Sequence, residues 1–501
     1  MNTEKPRAWR CSVCGYIHAQ ADAPDCCPVC GAAQADFEPY SAPAPSAPPV
    51  GAHGWQCMIC NYIHKDSTPP ASCPICGVEG DQFQPGPTLE NAIPSGIPSR
   101  ILIVGSGIAG VSAAETVRRI SPDSTITLVG TENELPYYRL NLTRYLAGEI
   151  KRDALPIHPA AWFDEQGIEL IRNVTVDRIN PVPHSVILSN GRELPYDRLI
   201  LAAGSHPYIP SLEGVHLEGV FTLRTTVDAD KLLARVQPGT RCICIGGGIL
   251  GIETAGALAR QKAEVTLLES HEWLMPRQLN LRAAGVLERH LLSLGIRVAK
   301  KAQTRALLGE ARLSGVALQD GPMLPADVVV LATGVRPNTA LARKTGLEVN
   351  NGIVVDNHLQ SSLPDIFAAG DAAEHNGQVY GAWAASQYQG TIAALNAVGI
   401  PTAFGGLPRS NTVKALGLDL TSIGKFQPED GSYVVLDREG PSDYVSFVFH
   451  DGRLAGAILI GYADLATAAK KAIESKTDFA ALLQTNPNVP EILAALRSAS
   501  P

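Results

Sequence analysis

Twice in this chain an apolar run gives way to a glycine-rich turn. The first reads Ile101-Leu-Ile-Val-Gly105-Ser-Gly107-Ile-Ala-Gly110, and the second Cys242-Ile-Cys-Ile-Gly246-Gly-Gly248-Ile-Leu-Gly251-Ile-Glu253. Each has the order strand, turn, helix. The middle glycines, Gly107 and Gly248, let backbone approach a pyrophosphate, whose charge the following helix N-terminus stabilises. One such pattern is weak evidence; two copies, about 140 residues apart, point to two bound dinucleotides. Strand-like and helix-like segments alternate through this body, as in a doubly wound α/β fold.

The second unit closes its next strand, Val265-Thr-Leu-Leu-Glu269, on a carboxylate. An acid at that position binds both ribose hydroxyls and repels a 2′-phosphate. No arginine follows until Arg277, so the pattern specifies NADH rather than NADPH. In the first unit the corresponding strand, Ile126–Val129, ends in Gly130 where an acid is expected; Glu132 is the nearest candidate.

The region before the first turn is chemically distinct. It holds nine of the 11 cysteines and an internal repeat with a 46-residue shift. Cys11, Cys14, Cys27 and Cys30 recur as Cys57, Cys60, Cys73 and Cys76; Trp9, Tyr16, Ile17, His18, Pro28, Gly31 and Phe37 recur as Trp55, Tyr62, Ile63, His64, Pro74, Gly77 and Phe83. Two short loops per copy present four thiolates, enough for one tetrahedral metal site. Sulfur ligands alone do not separate iron from a structural zinc ribbon. His18 and His64 read as surface histidines beside complete sites, and Cys26 as a spare thiol. Ser41–Val50 (SAPAPSAPPV) is a semi-rigid spacer between the copies. From about Gly405 the pattern changes: Tyr444–His450 and Leu454–Gly461 flank Asp451-Gly452 as a hairpin, and a helix-like stretch, Asp464–Lys476, follows.

A net charge of −8 excludes a basic nucleic-acid face. No apolar run reaches the roughly 18 residues of a membrane helix, and the N-terminus lacks a signal-peptide core. The expected compartment is the cytoplasm, where cysteines serve as ligands more often than as disulfides. Partners expected from composition are neither nucleic acid nor membrane.

The stretches WRCSVCGYIHAQADAPDCCPVCGAAQADFE and WQCMICNYIHKDSTPPASCPICGVEGDQF resemble the rubredoxin-like module of rubrerythrins. That resemblance implies one redox-active iron per module, held by the four cysteines, with zinc as the alternative metal. The second copy departs at Asn61, where the first has Gly15. Residues 99–400 resemble flavoproteins of the pyridine-nucleotide-disulfide oxidoreductase superfamily. Tyr196-Asp-Arg-Leu-Ile-Leu-Ala-Ala-Gly204 and Val328-Val-Val-Leu-Ala-Thr-Gly334 match its two connecting motifs, and Asp365-Ile-Phe-Ala-Ala-Gly370-Asp371 its late FAD motif. The resemblance implies that FAD binds at Gly105, Gly107, Gly110, Glu132, Arg139, Gly204 and Asp371. It places NADH at Gly246, Gly248, Gly251, Glu269 and Gly334. Trp383 and Gln389-Gly390 match a helix that faces the flavin. Arg144 stands where a lysine near flavin N5 is common; it supplies charge but no proton. Arg144 and Glu253 are the expected catalytic residues, near the flavin and nicotinamide. Residues 405–501 resemble the C-terminal domain of NADH:rubredoxin reductases and of the flavin half of nitrite reductases, through Gly461–Ser475.

The expected organisation is an α/β chain with rubredoxin-like modules at 8–40 and 54–86, joined by a Pro-rich linker at 41–53. The FAD-binding domain occupies 99–218 and 341–400, the NAD-binding domain 219–340, and a small α+β domain 405–501. A disulfide reductase needs a cysteine beside the flavin, and residues 77–241 contain none. Cys242 and Cys244 read as core residues of a strand. The expected activity is NADH oxidation through FAD, with electrons passing singly to the fused iron sites. From there they reach a redox acceptor protein of the flavodiiron, rubrerythrin or superoxide reductase class, in oxygen, peroxide or superoxide detoxification. Two alternatives remain: zinc ribbons on an FAD/NADH reductase, and the flavoprotein component of a nitrite-reductase-like system.

Overall fold

The computed structural model describes residues 99–406, 410–413, 416–462 and 465–498, with short segments between residues 8 and 85. Two five-stranded parallel sheets dominate it. The first runs Ile366–Ala368, Arg198–Leu201, Arg100–Val104, Thr125–Val129, Ile168–Ile171. The second runs Val220–Phe221, Val328–Leu331, Arg241–Ile245, Glu264–Leu268, Arg297–Ala299; its last four strands repeat the first sheet's order, but its edge strand Val220–Phe221 comes first in the chain of its sheet whereas Ile366–Ala368 comes last in its own. Central strands reading RILIV, RCICI and VVVL are apolar on both faces, as a parallel sheet covered on both sides requires. Ile101, Leu102 and Ile103 are at most 1% exposed. Each half also carries a three-stranded antiparallel sheet, Val176–Asn180 with Ser185–Leu188 and Glu193–Pro195, and Thr304–Gly309 with Leu313–Leu318 and Leu324–Pro325.

The halves are joined where the two connecting motifs end. Gly204 and Gly334 both turn at positive φ, 67° and 106°. The segments that follow, Ser205–Pro207 and Val335–Pro337, pair antiparallel. The helix Trp383–Ala397 returns to the first half and packs on the helix Ile108–Ile120. Gly390 makes the approach possible: a β-carbon there would lie 2.1 Å from the Ala109 carbonyl oxygen.

The C-terminal sheet is antiparallel, in the order Ser410–Val413, Leu420–Gly424, Arg453–Ile460, Tyr444–His450, Val434–Glu439. Asp451 and Gly452 form its hairpin turn with φ of 48° and 73°, the left-handed pair that matches strand twist. The helix expected over Asp464–Lys476 spans Ala466–Glu474, and Asp464 lies outside the described residues. With Val489–Ser498 it contributes Ala469, Ala472, Ile492 and Leu496 to a core shared with Val445, Phe447 and Phe449. Tyr444, Ile458 and Ile460 belong instead to the core of the second parallel sheet, so this domain sits on the NAD-side half. Asn280 Nδ2 donates to the Tyr444 hydroxyl at 2.8 Å, and Arg282 pairs with Asp437 at 2.8 Å.

Both N-terminal repeats show the same pairing. Ala8–Cys11 lies between Ile17–His18 and Phe37–Tyr40, and Trp55–Cys57 between Ile63–His64 and Phe83–Pro85. Cys11 faces Phe37 in register, as Cys57 faces Phe83. Among the described residues, no helix is long and apolar enough to cross a membrane.

Cys242 and Cys244 lie in the central strand Arg241–Ile245, at 1% and 0% exposed. Burial, with Asp327 adding to it, pushes the Cys242 thiol up to about 12, and burial raises Cys244 as well. Iodoacetamide at neutral pH should therefore leave both unlabelled in the folded protein and label both in denaturant, as peptide mapping reads. Labelling of either in the native state would contradict a core role.

Candidate functional site

The three glycines of each turn have three different environments, identical in the two halves. A β-carbon on Gly105 would lie 2.0 Å from the Ala202 carbonyl oxygen, and one on Gly246 2.4 Å from that of Ala332. These first glycines also turn at φ of 113° and 115°, a region that L side chains rarely adopt. A β-carbon on Gly110 or Gly251 would lie 1.9 Å from the carbonyl oxygen of Gly105 or Gly246, so the third glycine seats the helix on its strand. A β-carbon on Gly107 or Gly248 would meet nothing within 4 Å beyond its chain neighbours. That open space above a helix N-terminus is what a dinucleotide pyrophosphate fills, and FAD and a nicotinamide dinucleotide fit the two cradles.

The second residue of each turn and the residue ending the next strand share one volume. Gly247 leaves room for Glu269: a β-carbon there would come 2.8 Å from Glu269 Oε2. Gly130 leaves room for Ser106, whose Oγ would lie 2.2 Å from a β-carbon on Gly130. A side chain on one side of the turn thus excludes one on the other, which is why the first half carries no acid at its strand end. Glu269 is 6% exposed, and Gly247 N–H donates to its Oε2 at 2.9 Å. Burial opposes ionisation, but hydrogen bonds from the backbone and side chain of His271 and from Gly247 hold its carboxyl below the ordinary value.

Glu132, Tyr137 and Arg139 form one cluster in the first half. Arg139 Nη2 pairs with Glu132 Oε1 at 2.6 Å, Tyr137 donates to Glu132 Oε2 at 2.7 Å, and Arg139 also donates to the Arg224 carbonyl. Beside them Asp371 accepts from Ser205 Oγ at 2.7 Å and from Arg224 Nη2 at 3.3 Å. Ser205 and Arg224 carry no sequence motif, and their place beside Asp371 is visible only in three dimensions. Gln389 Oε1 accepts from Gly370 N–H at 2.8 Å, while its buried Nε2 has no protein partner. An orphaned donor beside the Gly370-Asp371 turn suits a bound polar cofactor.

Where the halves meet, the short helix Leu142–Leu146 packs against the helix Ile249–Arg260. Thr143 Oγ1 donates to Glu253 at 3.3 Å. Arg144 does not meet Glu253: its Nε donates to Glu149 at 3.1 Å, and Glu149 also pairs with Arg260. Successive helical residues point about 100° apart, so one turn cannot aim both Thr143 and Arg144 at one partner. Burial pushes the Glu253 carboxyl up to about 7, against the lowering effect of Thr143. Close by, Tyr138 stacks on Trp383 with ring centroids 5.4 Å apart.

Of the eight expected metal ligands, Cys11 and Cys57 end the first strand of each repeat. Cys14, Cys27, Cys30, Cys60, Cys73 and Cys76 lie outside the described residues. The common strand register of the two repeats and the four-thiolate donor set of each fit a tetrahedral iron or zinc site.

Residues 99–390 match the family described as pyridine nucleotide-disulphide oxidoreductase. The chain belongs to that family of FAD-dependent oxidoreductases. Residues 9–38 and 55–84 match the rubrerythrin, rubredoxin-like domain, and residues 410–477 the rubredoxin NAD+ reductase C-terminal domain. The nitrite reductase [NAD(P)H] of Bacillus subtilis (strain 168) is 33% identical over 365 residues, 72% of this chain and 45% of the relative. The chain spans about half the length of the nitrite reductase and assimilatory nitrate reductase relatives it matches. The NADH-rubredoxin oxidoreductase of Clostridium acetobutylicum is 29% identical over 381 residues, 76% of this chain and 96% of the relative. A crystal structure of NADH:rubredoxin oxidoreductase from Clostridium acetobutylicum aligns with a TM-score of 0.66 at 28% identity, covering 79% of this chain and 99% of that one.

Two outcomes follow from this geometry. Gly130→Glu should destabilise the protein by about 1–3 kcal/mol, the usual effect of overpacking. Adding Ser106→Gly should recover most of it in a double-mutant cycle of thermal unfolding; simple additivity would contradict the shared volume. Glu253 has a folded pKa above its ordinary 4.5, so its neutral form stabilises the fold below that value and the benefit is lost as pH rises toward 7. Glu253→Gln should therefore gain on the order of 1–2 kcal/mol over wild type at pH 8, allowing for solvent screening, and much less at pH 5. A gain that does not depend on pH would show that Glu253 is not the titrating group.

Proposed function

We propose that this chain oxidises NADH and delivers its electrons to two iron sites built into its own N-terminus. The observation that carries the reading is the combination, in one chain, of two dinucleotide cradles and two four-cysteine repeats of identical strand register. FAD held in the first cradle would supply a hydride acceptor able to release electrons one at a time, and an iron held by the four cysteines of each repeat would supply a one-electron acceptor. The rest is positioning by the protein. Gly105, Gly107 and Gly110, with the Glu132–Arg139 cluster and Asp371, hold FAD. Gly246, Gly248 and Gly251 hold the pyrophosphate of NADH, Glu269 its ribose, and Gly204 and Gly334 the turns between the halves. Thr143 keeps the Glu253 carboxyl facing the junction.

The second repeat serves as the entry point. Trp55 is 4% exposed and belongs to the same buried apolar cluster as the first parallel sheet, which supports close packing of this repeat on the FAD-side half. Electrons leave to an external acceptor protein of the flavodiiron, rubrerythrin or superoxide reductase class, in the cytoplasm. The similarity to nitrite reductase favours a second reading, a flavoprotein component working with a haem on another chain. The four-cysteine repeats favour the first.

Removal of residues 1–86 tests this division of labour. NADH-to-ferricyanide activity and FAD content should persist, and electron delivery to an acceptor protein should fall at least tenfold, since the cradles all lie beyond the deletion. Metal analysis of full-length protein from iron-sufficient cells should give about two irons per chain. Zinc at both sites, or unchanged delivery by the truncated protein, would overturn the reading.

A further inference from the structure

The acid assigned to the NADH ribose has an ionisable partner. His271 Nδ1 lies 2.7 Å from Glu269 Oε1, and the His271 backbone N–H donates to the same oxygen at 2.8 Å. The other oxygen, Oε2, is held by Gly247 N–H at 2.9 Å. Ser270 Oγ adds a contact to Oε1 at 3.2 Å. The carboxylate is therefore fixed in place and nearly buried, its side chain 7% exposed. The imidazole on it is 66% exposed and open to protons from solvent.

The lysines beside this pair are spent on other acids. Lys301, whose N–H donates to the His271 carbonyl, spends its ammonium on Glu272 at 2.9 Å. Lys300 pairs with Glu288 at 2.7 Å, and Arg282, on the helix that follows, pairs with Asp437. The glycine turn contributes amides only. Arg277 is exposed further along the same loop.

We propose that His271 is a specificity-determining residue that makes the discrimination between NADH and NADPH depend on pH. With a neutral imidazole the Glu269–His271 pair carries one negative charge, which repels a ribose 2′-phosphate. With a protonated imidazole the pair is neutral and the repulsion is largely cancelled. NADPH gains on NADH as pH falls, and the preference for NADH is strongest in alkali. This rests on the reading of Glu269 as the ribose-binding acid, and the test separates the two.

The probes are AMP and adenosine 2′,5′-bisphosphate, titrated calorimetrically into oxidised holoprotein at about pH 5.5 and about pH 8.5. The quantity read is the affinity ratio of the two nucleotides, alongside the pH profile of kcat/KM for NADH and NADPH. The 2′-phosphate itself titrates near pH 6. His271→Asn controls for this, since it keeps a neutral donor toward Glu269 and cannot ionise. Between the two pH values the ratio in wild type should shift toward the bisphosphate on the order of fivefold more than in His271→Asn, the size of an exposed ion pair's effect. An equal shift in both proteins overturns the proposal. Glu269→Gln should narrow the ratio at pH 8.5; if it does not, the ribose reading fails and takes the proposal with it. If Glu269→Gln narrows the ratio while His271→Asn matches wild type, only the role of His271 is wrong.

Discussion

Among the described glycines, the third of each turn has the least backbone room, against the carbonyl of the first. A β-carbon on Gly110 or Gly251 would sit 1.9 Å from that oxygen, so any side chain would lift the helix off the sheet. With glycine there, each helix begins directly over the end of its strand, with Gly107 or Gly248 as N-cap. The free N–H groups of the first turn then converge on one small volume, and the partial charge of the helix end adds to them. Everything downstream depends on where those two volumes lie. The strand pairing after Gly204 and Gly334 links the halves, and the helix Trp383–Ala397 brings Gln389 back to the Gly370-Asp371 turn.

Around the cradles, charge is managed locally. Arg139 is tied to Glu132, Arg224 to Asp371, and Arg144 to Glu149. Between the halves, Glu253 accepts from the neutral Thr143 hydroxyl, and burial raises its carboxyl to about 7. A carboxyl with a pKa near 7 at such a junction can change its protonation state at little cost. The strand ends differ for a steric reason. Ser106 occupies in one half the space that Glu269 occupies in the other, so the two cradles are built alike but present different chemistry to a ribose.

Much of this was legible in the sequence because it is written in short local patterns. The strand–turn–helix units, the Asp451-Gly452 hairpin and the spacing of the repeat around Cys11 and Cys57 each depend on residues within one segment. What was not legible depends on contacts between distant segments. Arg224 and Asp371 are 147 residues apart, and Thr143 and Glu253 are 110 apart. Arg144 is the instructive residue: it pairs with Glu149, while its neighbour Thr143 meets Glu253, a contact no local pattern announces. Gly130 looked like a missing acid until Ser106 was seen to fill its space. The two three-stranded antiparallel sheets beside the parallel ones were absent from the sequence reading, although Asn190-Gly191, between Ser185–Leu188 and Glu193–Pro195, is a hairpin signal.

The central claim is that electrons from NADH reach iron held by this chain's own cysteines. Electron paramagnetic resonance during an anaerobic NADH titration of the full-length protein measures this directly, because ferric and ferrous four-cysteine sites differ in signal. NADH gives up two electrons and each site takes one, so a single equivalent should abolish the ferric signal of both sites. A ferric signal that survives excess NADH while the flavin bleaches, or no ferric signal to begin with, would contradict the account.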